Sequence, residues 1–159
     1  MSNELLIERR ALLKKRFKSS TLLLFAVFCV TVYNCVAEFF FPSFVFPVSF
    51  YLPQFAANMA KTFSGNVGAL VLCTLGCLIL CAATLSCIVF ARKNFRLASV
   101  ISVISSIDIV LLIYIGLQSL LTKGFQGFFV INMFAHIGIL FLAMRLRRAA
   151  EGLEVLPEE

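Results

Sequence analysis

One carboxylate stands deep inside an apolar run: Asp108, in the stretch ISSIDIVLLIYIG over 104–116. An ionised carboxylate in hydrocarbon costs at least about 2.5–3.5 kcal/mol, so it must be paired, face a bundle interior or keep its proton. Two polar residues of a later apolar run, Asn132 and His136, are spaced i, i+4 and share one helical face. Depth brings the three together. At 1.5 Å per residue, Asp108 lies about 18 Å from the basic boundary at Arg96. Counted back from Arg145, Asn132 lies at about 19.5 Å and His136, the chain's one histidine, at about 13.5 Å.

Two chemistries suit such a group. Hydrogen bonds between the helices would fix their rotation, each contributing roughly 0.6–2 kcal/mol. A buried Asp–His pair could instead carry a proton in a coupled transporter. The face around Asp108 decides between them: it presents Ile101, Ile104, Ser105, Leu111, Leu112 and Ile115. A water-filled path needs a polar stripe, and only Ser105 is polar here. The reading is a buried polar contact of Asp108, His136, Asn132 and Ser105, with a small proton-coupled transporter as the alternative. An intramembrane enzyme is the third class, and an enzyme is not expected. The chain has no nucleophile elbow, Gly-rich phosphate loop, HExxH or acidic metal cluster.

The six cysteines all fall in apolar runs, Cys29 and Cys35 in the first and Cys73, Cys77, Cys81 and Cys87 in the second. There is no CxxC, so neither a disulfide framework nor a thiol redox site is expected. Gly65, Ala69, Cys73, Cys77 and Cys81 recur every fourth residue. That is a seam of small side chains along which two helices approach closely, with cysteine acting as a small hydrophobe. No metal and no cofactor is expected. The seam meets either the first run or another chain. The expected partners are therefore the lipid bilayer and a second copy or a larger membrane-protein complex.

The elements that hold these residues follow from composition. The chain is 61% hydrophobic and 14% charged, where a soluble domain averages roughly 45–50% and about 25%. Four runs reach the roughly 20 residues that a hydrocarbon core requires: 20–41, 66–91, 97–121 and 125–144. Of the 14 Lys and Arg, twelve cluster before the first run, between the second and third, and after the fourth. Lys61 and Lys123 are the other two. Basic residues stay on the cytoplasmic side, so both termini are expected there. Location is expected to be a plasma membrane or bacterial inner membrane. The apolar stretch of the first run exceeds the 7–15 residues of a signal peptide. The net charge of +6 follows topology, and nucleic-acid binding is not expected.

The fold class read from this is an all-α integral membrane protein, one domain over 1–159. It is an up-down bundle of four transmembrane helices, because the connections ARKNFR and TKG are too short for anything but antiparallel neighbours. Residues 1–19 read as a basic amphipathic segment on the cytoplasmic leaflet, and 145–159 as a cytoplasmic tail. The outer loop, 42–65, is aromatic and carries Pro42, Pro47 and Pro53. It is expected to run extended along the lipid–water boundary to Phe50. A short interfacial helix then starts with Pro53 as its first residue and stops at Gly65. Glu38, Lys61 and Lys123 belong to the outer boundary, where a local ion pair is expected.

Overall fold

The computed structural model describes residues 3–41, 46–91, 93–123 and 127–156. They form five helices: α1 (Asn3–Phe40), α2 (Tyr51–Thr62), α3 (Val67–Phe90), α4 (Phe95–Lys123) and α5 (Gly127–Val155). Four of them, α1, α3, α4 and α5, are long and apolar enough to cross a membrane. The expected runs match them, apart from extensions at both chain ends. Pro42, Arg92 and the Gly124 end of TKG lie outside the described residues.

The four long helices form a ring. α1 packs on α3 and α5, and α4 packs on the same two. Among the described residues, α1 and α4 face each other without backbone contact, and so do α3 and α5. One end of the ring is filled by side chains alone: Leu24, Phe28, Ile88, Ile101, Ile139 and Leu146 belong to one buried cluster. Towards the other end, α2 packs on α1, α3 and α4, taking up the space between the two helices that do not meet.

Close approach follows from small residues. A side chain at Gly116 would run into the ring of Phe129, so α4 and α5 meet there only because residue 116 has none. A Cβ at Gly152 would lie 2.9 Å from Leu13 Cδ1. With Ala149 and Ala150 buried beside it, this flat face seats the start of α1.

That contact involves both chain ends. Through the basic segment, α1 runs as one rod of 38 residues. The tail from Arg145 continues α5 to Val155. Each extension gives the other something to pack on, and Arg147 pairs with Glu151 at 2.7 Å on the outer side.

Candidate functional site

The site is the start of α2. A helix leaves four backbone N–H groups without a partner in its own ladder, those of the N-cap and the first three helical residues. In α2 these belong to Phe50, Tyr51, Leu52 and Pro53. Phe50 offers no capping side chain, and the end is buried, with Phe50 fully enclosed and Pro53 buried as well. Unsatisfied donors in such a place cost heavily.

All four positions are accounted for. The Phe50 N–H donates to Thr31 Oγ1 at 2.8 Å. The Tyr51 N–H donates to Asp108 Oδ2 at 3.1 Å. The Leu52 N–H donates to Asp108 Oδ1 at 2.9 Å. Pro53 has no N–H. One carboxylate, 1% exposed, therefore caps a helix from another element, 56 and 57 residues away. Its charge also sits at the positive end of the α2 dipole.

The segment leading to this point is held as firmly. Asn34 Oδ1 accepts from the Phe46 N–H at 3.0 Å, and Asn34 Nδ2 donates to the Phe46 carbonyl at 2.8 Å. Ser49 Oγ and Gln54 Oε1 lie 2.9 Å apart, and Asn34 Nδ2 reaches the same Gln54 oxygen at 3.4 Å. Thr31 and Asn34 are i, i+3 on α1 and both fully buried. Phe50 then enters the main core with Leu24, Phe28 and Ile101.

The loop expectation is corrected accordingly. Phe46 and Val48 stay exposed, and the chain turns into the bundle at Ser49 and Phe50, the Phe46 and Phe50 N–H groups finding acceptors on α1 in Asn34 and Thr31. The helix starts at Tyr51, which makes Pro53 its third residue rather than its first. It ends at Thr62, before Gly65. Pro42 and Phe44 lie outside the described residues.

The expected trio is only partly assembled. Asp108 bonds the backbone of α2, not His136 or Asn132. His136 Nδ1 lies 2.8 Å from the Asn132 carbonyl; a carbonyl only accepts, so Nδ1 carries the hydrogen. His136 Nε2 is buried with no hydrogen-bond partner. Tyr51 joins the two halves: its N–H goes to Asp108, and its ring meets His136 edge-on at 6.0 Å. Ser105 is buried but donates to Ile101 O of its own helix at 3.0 Å.

At the far end, Lys61 Nζ donates to the Glu38 carbonyl at 2.8 Å, not to its carboxylate. A cation thus closes the C-terminal end of α1. The side chain of Lys123 lies outside the described residues.

The seam turns inward. Cys77 and Cys35 are buried together with Ala57 of α2, and Cys81 packs against them. Cys73 and Ala69 are half-buried, and Gly65 is exposed. The inner part of the seam therefore meets α1 and α2 of the same chain. It also gathers the Sγ atoms of Cys35, Cys77 and Cys81 within 4.8 Å of one another. Three thiolates are a donor set for a soft ion such as Cu(I) or Zn(II), the combination that spacing along one helix could not disclose.

Sequence reasoning missed Thr31, yet a signal was present. Thr31 is 13 residues past Lys18, about 19.5 Å along α1, level with Asp108. Compared with known proteins, the chain matches no family model, no curated protein and no solved structure.

Proposed function

We propose that the chain is a small polytopic membrane protein that works by association, as an interaction or accessory subunit of a membrane assembly, and does not conduct or catalyse. The observation that carries this reading is the occupancy of Asp108. It is the one acid deep within any of the four apolar runs, and both its oxygens are engaged by the Tyr51 and Leu52 N–H groups. A carboxylate held so is a fastening for a re-entrant half-helix. Broken helices at membrane depth persist where protein, not lipid, satisfies their backbone.

The distribution of charge supports four spans with both termini cytoplasmic, α2 rising about 18 Å from mid-membrane to the outer face. Lipid and partner chains then share the outward faces of α3 and α5, rich in exposed leucine, valine and phenylalanine.

A second reading keeps one observation. His136 Nε2 is buried and without a hydrogen-bond partner, and its ring meets that of Tyr51, whose N–H binds the capping carboxylate. A small proton-coupled transporter would use the pair. Proton flux in liposomes separates the two readings. The association reading expects no flux above empty vesicles, and defined companions retained in mild detergent. Flux lost in both Asp108→Asn and His136→Ala, in protein that still folds, would replace it with the transporter.

A further inference from the structure

We propose that the groove at the basic end of the bundle holds an anionic phospholipid, its headgroup among lysines and one acyl chain along the apolar wall below. This rests on the membrane reading above. The groove encloses about 1040 Å³ between α1, the α3–α4 turn and the last turns of α5. Its chemistry changes along its length. Arg10, Lys14, Lys18 and Lys93 stand at one end, with Glu154 the one acid among the lining residues. Beyond Lys18 the wall is Leu22 and Phe25 of α1, faced by Ile88 and Val89 of α3. Phe25 lies seven residues past Lys18, about 10 Å further along α1 towards the bundle centre.

A cationic mouth over an apolar wall matches a molecule with an anionic head and a hydrocarbon tail. A soluble anion would leave the wall unused, and a neutral lipid would leave the lysines unused. A second copy would bring two basic mouths together, which like-charge repulsion opposes. Basic pockets between spans at the cytoplasmic boundary are suited to anionic headgroups.

The chain has no tryptophan, so Phe25→Trp makes a single local reporter in the groove. Phe141→Trp is its control, since Phe141 is 65% exposed on α5 near the same boundary and outside the groove. Each variant is placed in phosphatidylcholine vesicles containing a minor fraction of phosphatidylglycerol, with either lipid brominated in its acyl chains. Brominated phosphatidylglycerol should quench the Phe25→Trp reporter several-fold more than an equal fraction of brominated phosphatidylcholine. The control should be quenched equally by both. Lys14→Gln, Lys18→Gln and Lys93→Gln together should abolish the preference, each lysine contributing up to about fivefold. The corresponding arginine variants should keep it. Equal quenching of the Phe25→Trp reporter by both lipids overturns the proposal. A reporter quenched by neither, beside a quenched control, overturns it too and gives the groove to protein. A control quenched by neither lipid removes the membrane reading itself.

Discussion

Two neighbouring helices, α2 and α3, are capped at their starts by opposite means. α3 is capped locally. Asn66 precedes it, and its side-chain oxygen accepts from the Ala69 N–H at 3.2 Å on the exposed surface. α2 is capped remotely, by a buried carboxylate on α4 and a hydroxyl on α1. A local cap stabilises a helix wherever it happens to lie. A remote cap also fixes where the helix lies, because the helix must reach the acceptor. The α3 cap therefore helps a helix to start, while the α2 cap specifies the fold.

Substitutions can break that contrast. The largest effect is expected for Asp108→Ala, which leaves two half-buried donors without an acceptor. At about 1–3 kcal/mol each, unfolding free energy in bicelles should fall by roughly 2–6 kcal/mol. A loss below about 1 kcal/mol would mean that the segment is held by packing alone. Next comes Cys77→Leu, which forces extra atoms between α1, α2 and α3. Overpacking costs typically about 1–3 kcal/mol. The same unfolding measurement checks it, and Cys77→Ala should be milder. Thr31→Val keeps shape and leaves the one Phe50 donor without its acceptor, at about 1–3 kcal/mol. Smallest is Asn66→Ala, where water can replace an exposed cap, at about 0.5–1 kcal/mol. If Asn66→Ala proved as costly as Asp108→Ala, the distinction between local and remote caps would fail.

The same contrast explains how much was legible in the sequence. The long helices were legible because lipid-scale apolar runs and basic clusters are properties of contiguous residues. The start of α3 has a local signal, Asn66 before a valine-glycine-alanine-leucine run. The start of α2 has none. Every residue carries a backbone N–H, so nothing in PVSFYLPQ marks Tyr51 and Leu52 as the donors that seek Asp108. Sequence reasoning therefore matched Asp108 with the nearest polar side chains at its depth and overlooked main chain as a partner. The Cys35, Cys77 and Cys81 cluster was hidden for a related reason. Spacing within one helix predicts a shared face, not which residue of another helix it meets.

The central claim is that the segment before α2 enters the bundle to the depth of Asp108. Val48 tests it directly, being 43% exposed within that segment. In a chain without native tryptophan, Val48→Trp reports depth through quenching by lipids brominated at different acyl positions. The account predicts strongest quenching by deeply placed bromines, and a shift towards headgroup-proximal bromines when Asp108→Ala is added. Strongest quenching by headgroup-proximal bromines with Asp108 intact would contradict it and return the segment to the membrane boundary.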